Sequence, residues 1–384
     1  MRGDLAIAGL VALCGLLLAL PFALSPKSNW PDPDSFFYEV QTLEVRGESH
    51  ARAVREVFTS KLAKDAPTGD RRVAQTSEPG WVAYSARFYR RRWTVPVIAA
   101  ALSPIFGWSS LRIASLLGWA LLAPLLYLLL RRRFAVGPSL FAAALSMVLP
   151  PLLVWAPEPL VDSWNLTILV AALLLALKTR DDLRWLPAWI AVVLIGSFTK
   201  DQVLVLVAAT GWLALRERSR RMALVMATGA LASLPAPLLF SAPLRQNLAY
   251  VLGDFRIPGN TSWGFILPKY PKMMLEVLKE DLTYPLHERA PYSTISLVLA
   301  PVVILGLILL FKRSRDPLVT LMQGSALGAL ATVLVAANYT NLRLELVFVP
   351  AVACGLALLG EDIAQRIGRR RSQILRPVGN AAGP

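Results

Sequence analysis

Residues 131–180 read RRRFAVGPSLFAAALSMVLPPLLVWAPEPLVDSWNLTILVAALLLALKTR, and this stretch decides the fold. Between the cluster Arg131–Arg133 and Lys178 lie about 44 residues whose only charged members are Glu158 and Asp162. An apolar helix of about 20 residues crosses a hydrocarbon core, so the stretch is long enough for two crossings. Because short basic loops stay in the cytoplasm, both ends are predicted inside. The sequence therefore predicts a helical hairpin whose outer tip carries the two acidic residues.

Composition supports the same interpretation for the whole chain. The 384 residues are 55% hydrophobic and 17% charged, with a mean hydropathy of +0.51, whereas about a quarter of a soluble domain is charged. This excludes a soluble globular protein and indicates an integral membrane protein. The net charge of +15 comes from short basic clusters between apolar runs, so no nucleic-acid partner is expected. Cys14 and Cys354 lie within apolar runs and are expected to be small buried side chains.

The same rules applied along the chain predict an all-α polytopic membrane protein with both termini in the cytoplasm. The first apolar run is too long for a signal peptide and is expected to be a retained anchor. About ten spans result. They are 5–24, 110–130, the two arms of 134–177, the two arms of 185–215, 222–240, 293–311, 318–337 and 344–360.

The chain is predicted to be a single membrane domain, 1–384. Residues 95–107 are apolar but too short to cross alone, so they are expected to form a juxtamembrane helix in the first outer loop. The parts of the domain are a core at 1–220 that includes the outer loop 25–94, variable spans at 221–360 that include the outer loop 241–292, and a basic cytoplasmic tail at 361–384.

Charged residues that interrupt the apolar runs all fall at the outer face of this topology. A charged side chain at a helix centre costs roughly 2.5–3.5 kcal/mol on insertion scales, so such residues normally face a watery or protein-lined cavity and mark function. We therefore expect one outward-facing cavity that holds both acids and bases. Its predicted members are Asp32, Asp34, Glu158, Asp162, Lys200, Asp201 and Arg343.

Structural roles compete with functional roles at several of these positions. Asp34 can act as a general base, or it can cap a helix over about 35–47. Asp32 and Asp34 together can hold a divalent cation, which is the one cofactor that the sequence suggests. Lys200 and Asp201 can instead neutralise each other. Each of these positions therefore keeps two interpretations.

Three further groups have an ordinary role beside a functional one. Asp162 can stabilise a helix N-terminus, and Arg343 can extend to the lipid headgroups. The run Arg90–Arg92 is expected to anchor the loop to anionic lipid, with one of its members able to bind a phosphate. No Walker loop, dinucleotide fingerprint or His-Glu-x-x-His motif occurs, which argues against a nucleotide-driven pump or a zinc protease.

Several local patterns, in this order and on the predicted side of the membrane, resemble the C-type membrane glycosyltransferases (GT-C). This superfamily includes protein mannosyltransferases, aminoarabinose transferases and many bacterial polyprenyl-dependent enzymes. The resemblance covers residues 1–220 well and the remainder loosely. The patterns are Asp34–Tyr38 with the helix after it, Tyr89–Pro96, Ala99–Trp108, Leu111–Leu117, Pro157–Asp162, Gly196–Lys200 and Asn341–Pro350.

The resemblance implies an inverting transfer of a sugar from a polyprenyl-phosphate donor to an outer glycan, lipid or protein acceptor. Asp34 suits the general base that an acceptor hydroxyl needs. Lys200 and Arg343 suit the cations that a departing lipid phosphate needs. Asp162 is expected to orient the sugar or the acceptor. Further substrate-binding roles are expected for Asp32, Tyr38, Arg91, Glu158 and Asp201.

Other functions remain open. A secondary transporter also carries buried charges near the midplane, but it predicts repeats and short early loops, whereas the first loop here has about 70 residues. A polysaccharide polymerase or ligase also acts on lipid-linked sugars, but it predicts an Arg/His-rich late loop, and 241–292 holds one His. A non-catalytic flippase partner is a third option. Because Arg far outnumbers Lys, the expected location is a bacterial inner membrane, with membrane lipids as further partners.

Overall fold

A computed structural model of the chain establishes an all-α membrane protein. Throughout the part of the chain that is described, the secondary structure is helical and no strand occurs. The described residues are 2–24, 33–59, 80–155, 158–200, 203–240, 242–253, 255–287, 292–312, 316–336 and 345–374.

In chain order, the described α-helices are α1 Arg2–Leu24, α2 Pro33–Val45, α3 His50–Phe58, α4 Trp81–Ser85, α5 Thr94–Phe106, α6 Ser110–Leu130, α7 Val136–Met147, α8 Pro150–Trp155, α9 Asp162–Asp181, α10 Leu186–Ser197, α11 Val203–Glu217, α12 Arg220–Ser233, α13 Pro235–Phe240, α14 Leu244–Leu252, α15 Trp263–Ile266, α16 Tyr270–His287, α17 Tyr292–Lys312, α18 Pro317–Ala336 and α19 Val349–Ile374. Short 3₁₀ helices cover Ala86–Phe88, Gly107–Ser109, Leu183–Trp185 and Glu345–Phe348.

Six stretches among the described residues are long and apolar enough to cross a membrane. They are Thr94–Leu130, Asp162–Asp181, Arg220–Phe240, Thr294–Lys312, Pro317–Val335 and Leu346–Ile367. Three shorter apolar helices accompany them, namely Gly3–Leu17, Val136–Met147 and Leu183–Ser197.

The predicted hairpin at 134–177 has one broken arm and one continuous arm. The consecutive residues Pro150 and Pro151 interrupt the first arm, so that α7 ends at Met147 and α8 has only six residues. Proline lacks an amide hydrogen and disfavours helical backbone in the residue before it, which accounts for this break. The second arm, α9, continues for 20 residues from Asp162.

The helix expected at 95–107 is present as α5, and a sharp turn separates it from α6. Gly107 at this turn has a φ of +54°, a backbone conformation that glycine adopts without steric cost. Val95 and Ala99 of α5 pack in one apolar cluster with residues at the start of α6, so α5 lies against that helix. α5 thus packs against α6 in an apolar cluster that also contains Tyr38.

The main core lies among the long helices and includes the fully buried rings of Trp119 and Trp189. Glycines allow the closest helix contacts, since a Cβ added at Gly328 of α18 would lie 2.5 Å from the carbonyl oxygen of Leu204 on α11. Cys354 is buried as expected, but the expectation for Cys14 was wrong because it is exposed on α1. An apolar helix at the edge of a membrane bundle has one face directed at lipid.

Two ends of the bundle can be defined from α6 and α9, which run in the same direction. Near their first turns, Arg112 interacts electrostatically with Glu158, and at their last turns Arg132 bonds to Asp181. A helix of about 20 residues spans roughly 30 Å. We call the end with the first turns the aspartate end, after Asp162, and the other the arginine end.

Candidate functional site

Asp34 lies at the aspartate end, in the first turn of α2. The helix begins at Pro33, so Asp34 lies inside the helix, where its charge is favourable near the N-terminus. The hydroxyl of Tyr89 donates a hydrogen bond of 2.5 Å to Asp34 Oδ1. The ring of Tyr89 in turn stacks on Phe37, with ring centroids 4.6 Å apart and the planes 4° from parallel. The carboxylate of Asp34 is therefore held in a defined orientation.

Tyr89 is suited to remain a neutral hydrogen-bond donor. Burial raises the pKa of this phenol, and the neighbouring carboxylate of Asp34 raises it further. A phenol with a raised pKa stays protonated at neutral pH, so its O–H can donate a hydrogen bond to a carboxylate. Tyr89 can thus orient Asp34 through a hydrogen bond while Asp34 keeps its negative charge.

Tyr38 and Arg92 complete the same cluster. Tyr38 lies one helical turn after Asp34 and is fully buried, and Arg92 Nη1 donates a 2.7 Å hydrogen bond to its hydroxyl oxygen. The guanidinium of Arg92 also lies over the Tyr89 ring, 4.9 Å from the ring centroid. The sequence analysis selected Arg91 from this basic run, and that role stays a prediction. The side chain that reaches the cluster is Arg92.

A buried ion pair joins α9 to the loop after α10. Lys200 Nζ lies 2.6 Å from Asp162 Oδ1, and the two side chains are 14% and 3% exposed. Asp162 is the first residue of α9, while Lys200 follows the end of α10 and donates its backbone N–H to Gly196. The pair connects two predicted site residues that are 38 positions apart.

Direct contacts hold the ion pair close to the Asp34 cluster. The backbone N–H of Trp93 donates to the carbonyl oxygen of Phe198 at 2.8 Å. One residue further along each segment, the hydroxyls of Thr94 and Thr199 are 2.6 Å apart. Tyr38 also packs in one apolar cluster with the two residues before Asp162. The start of α2, the start of α5, the end of α10 and the start of α9 therefore meet at one place.

Two cavities adjoin α2. The larger, of about 350 Å³, is lined by Phe37, Gln41 and Tyr89 among others, and the smaller, of about 90 Å³, contains Glu39. Burial raises the pKa of the Glu39 carboxyl to about 8, against the opposing attraction of Arg46. Sequence reasoning missed both cavities, because they form where α2 meets segments distant in sequence.

Some predicted residues cannot be placed, and Glu158 lies at the edge of the site. Asp32, Asp201 and Arg343 lie outside the described residues. Glu158 is half-buried and interacts electrostatically with Arg112, which the sequence analysis did not select. Glu158, the first residue of the predicted acidic tip, is therefore near a cation, at the same end as Asp162.

The described side chains do not form a metal site by themselves. Among them, no group of three or more His, Cys, Asp and Glu side chains is arranged to hold a metal ion. Asp34 is the one described carboxylate of the predicted Asp32/Asp34 pair, and Tyr89 already donates to its Oδ1. The divalent cation stays a prediction that depends on Asp32.

The described site contains a carboxylate oriented by a phenol, a buried lysine held by a second carboxylate, and an arginine beside both tyrosines. Such a set can accept a proton from a hydroxyl and can neutralise an anionic group that enters. No protein-family model matches the chain, and no curated protein matches it. The function must therefore be inferred from this chemistry.

Proposed function

We propose that this chain is an integral membrane glycosyltransferase that moves a sugar from a polyprenyl-phosphate donor to an acceptor hydroxyl, with Asp34 as the general base. One observation carries the proposal: the oriented carboxylate of Asp34 lies at the same end of the bundle as the buried Lys200–Asp162 pair. A base and a buried cation near one another suit a reaction that removes a proton and releases a phosphate. The resemblance of 1–220 to GT-C enzymes supports the same class.

The proposed reaction is a single displacement. The acceptor oxygen forms a bond to the anomeric carbon of the sugar while the bond from that carbon to the donor phosphate oxygen breaks. The electron pair leaves with the lipid phosphate, and the acceptor proton passes to the carboxylate of Asp34. Because attack and departure occur on opposite faces of the sugar, the anomeric configuration inverts. Tyr89 keeps the carboxylate directed at the acceptor.

Lys200 stabilises the phosphate as its negative charge develops. A preorganised cation in a site of low dielectric stabilises such charge far more than it would in water. Asp162 holds Lys200 in place before the donor binds. Arg343 is proposed as a second cation, while Asp32, Tyr38, Arg91, Glu158, Asp162 and Asp201 are proposed to contact the donor or acceptor. No step here is derived through a metal.

We further propose ten spans with the arginine end in the cytoplasm of a bacterial cell. The count follows if α7 with α8, and α12 with α13, each form one crossing, and if α1, α10 and α11 cross in addition to the long helices. Basic clusters at 131–133 and 178–184 lie at the arginine end, and basic residues in short loops favour the cytoplasmic side. The aspartate end then opens to the outside, where lipid-linked sugars would be presented.

The test is sugar transfer by the purified full-length chain in proteoliposomes, with a panel of labelled polyprenyl-phosphate sugars as donors. Asp34→Asn is compared with Asp181→Asn, the same chemical change at the arginine end, at equal protein concentration. We expect Asp34→Asn to lower kcat/KM at least a hundredfold, in line with roughly 10²–10⁴-fold for general-base catalysis, and the control to stay within twofold.

Two other results would change the conclusion in different ways. If Asp34→Asn still transferred sugar, the chain would be a glycosyltransferase whose general base is not Asp34. Absence of transfer by the wild type with every donor would favour the transporter or the polymerase over the proposed function.

A further inference from the structure

The larger cavity beside α2 takes part in none of the steps above. Its volume of about 350 Å³ falls within the roughly 300–1,000 Å³ typical of small-molecule sites. One face of α2 forms a wall, and α3, α4, the segment before α5 and the end of α13 form the others. Aromatic rings make up much of the lining, namely Phe37, Phe58, Tyr89, Trp93 and Phe240.

Gln41 gives this cavity a specific chemical requirement. Its side chain is 5% exposed, and Nε2 donates a 2.9 Å hydrogen bond to the backbone carbonyl oxygen of Tyr89. A carbonyl can only accept, so this bond fixes the amide with its nitrogen towards Tyr89. Oε1 is then a buried acceptor, and none of the described residues supplies it with a hydrogen bond. Such a group typically costs about 1–3 kcal/mol, so a ligand hydroxyl that moved into contact with Oε1 would relieve that cost.

A second acceptor lies one helical turn along the same wall. Glu44 lines the cavity together with His50, and Glu44 Oε1 is 2.5 Å from His50 Nδ1. The cavity lining therefore combines an amide and a carboxylate with several aromatic rings. A sugar ring fits this combination, because its hydroxyls donate to such oxygens while its C–H faces pack on aromatic rings.

We propose that this cavity binds a sugar ring, and that the acceptor of the reaction is a glycan. The second half of this statement rests on the proposed function. The ring of Tyr89 forms part of the cavity wall, and its hydroxyl holds Asp34. A glycan bound in the cavity thus lies against the residue that orients the base, and Gln41 is a specificity-determining residue for a hydroxyl-bearing ligand.

Binding can be measured without any donor, and therefore without transfer. The full-length chain in nanodiscs is titrated with methyl glycosides of the common hexoses and pentoses, by saturation-transfer NMR with empty nanodiscs as the blank. Val54→Trp fills the cavity from α3, and Ala51→Trp adds the same ring at an exposed position of α3 outside the lining. We expect Val54→Trp to weaken binding at least tenfold and Ala51→Trp to leave it within twofold.

Gln41→Leu tests the acceptor oxygen in a second way, should Val54→Trp fail to fold. Loss of one hydrogen bond to the ligand predicts a roughly tenfold weaker affinity for the glycosides. Equal binding by the wild type, Val54→Trp and Gln41→Leu would overturn the inference. So would the absence of glycoside binding, or complete displacement of the glycosides by benzyl alcohol or farnesyl phosphate at lower concentrations.

Asp34→Asn separates this inference from the proposed function. We expect it to bind glycosides within twofold of the wild type while its transfer activity falls. Binding that survives in a chain with no transfer activity at all would leave the sugar site in place and overturn the glycosyltransferase. Transfer without glycoside binding in the cavity would support the glycosyltransferase and overturn the sugar site.

Discussion

The two ends of the bundle use charged residues in opposite ways. At the arginine end, four arginines pair with carboxylates of other segments, and these arginines are 22–38% exposed. At the aspartate end, Lys200 and Asp162 are 14% and 3% exposed, and Arg92 bonds to the phenol of Tyr38. The pairs at the arginine end are Arg131–Asp4, Arg132–Asp181, Arg133–Asp316, Arg133–Glu361 and Arg180–Glu217.

This difference separates charges that join helices from charges that we propose take part in the reaction. Partly exposed ion pairs keep part of their hydration, so each contributes little to the stability of the fold. A buried pair loses its hydration, and its attraction often fails to offset that loss. Burial without a clear gain in stability is characteristic of functional sites. Changes at the aspartate end should therefore affect activity, and changes at the arginine end should affect stability.

The largest expected effect comes from neutralising the buried pair. The double variant Asp162→Asn/Lys200→Met removes both charges at similar side-chain volume, and such replacements are often neutral or stabilising. We expect its Tm, measured by intrinsic fluorescence in nanodiscs, to stay within roughly 4 °C of the wild type. Transfer should fall at least a hundredfold, or about 2.7 kcal/mol in the barrier, because the cation at the phosphate is lost.

The single variants show why the double variant is needed. Lys200→Met alone leaves the Asp162 carboxylate buried without its cation, and removing one partner of a buried pair costs about 3–5 kcal/mol. A loss of activity in that variant would not separate catalysis from unfolding. If the double variant instead retained transfer within threefold, the pair would be structural and the contrast between the two ends would disappear.

Sequence patterns predicted the all-α membrane class, the break at the acidic tip and the placement of Asp34 at a helix start. They also predicted that Asp162 and Lys200 belong to the site, but for Lys200 they left open both a cavity role and neutralisation by its neighbour Asp201. The observed partner, Asp162, comes from a distant segment. Hydropathy and charge counts describe single segments, whereas this pair depends on how α9 and α10 pack.

The basic run at 90–92 shows the same limit at smaller scale. Three consecutive arginines are equivalent in composition, so the sequence does not show which of them contacts Tyr38. That residue is Arg92, which reaches Tyr38. Gln41 gave no signal at all, because its importance comes from a buried oxygen without a hydrogen bond from the described residues and from its position in a cavity lining. Through-space contacts of this kind require the folded structure.

The second prediction tests how far the aspartate end depends on packing beneath it. In Gly328→Ala the added Cβ would lie 2.5 Å from the carbonyl oxygen of Leu204 and 2.6 Å from Val205 Cα. These are backbone atoms of α11, whose first turn follows Lys200 closely. Overpacking of this kind costs about 1–3 kcal/mol. We expect a Tm lowered by roughly 4–8 °C, together with a several-fold loss of transfer.

Gly137→Ala is the matched control, since a Cβ at Gly137 in α7 meets nothing within 4 Å. Alanine is the better helix former by roughly 0.5–1 kcal/mol, so the Tm should be unchanged or slightly raised. Equal melting of both variants would show that α11 and α18 can separate without cost, and that packing does not position Lys200.

The third prediction concerns Glu39, which lies on α2 and lines the smaller cavity. Burial raises its pKa from 4.5 to about 8, so the folded chain holds a proton that the unfolded chain releases. Its contribution to stability is therefore complete below about pH 4.5 and is lost as the pH rises through 8. Glu39→Gln cannot ionise. Between pH 6 and 9 the Tm of the wild type should fall by roughly 2–5 °C more than that of this variant.

Glu56→Gln is the control, because Glu56 lines the same small cavity but is exposed. Its pH profile should match that of the wild type. Parallel profiles for Glu39→Gln and the wild type would mean that Glu39 is ionised at neutral pH. In that case burial of Glu39 would not shift its ionisation, and Glu39 would not support the contrast between the two ends.

The smallest effect is expected at the arginine end, from Arg133→Gln. Arg133 Nη1 lies 3.0 Å from Glu361 and Nε lies 3.4 Å from Asp316, so one side chain joins α19 to the start of α18. Ion pairs that keep contact with water typically contribute about 0.2–1 kcal/mol each, and 0.5 M salt should weaken them. We expect a Tm lowered by roughly 2–4 °C at low salt and by less at high salt, with transfer per folded molecule within twofold of the wild type. A drop in transfer larger than the drop in folded protein would show that the arginine end contributes to the reaction, because no loss of helix contact at that end can account for it.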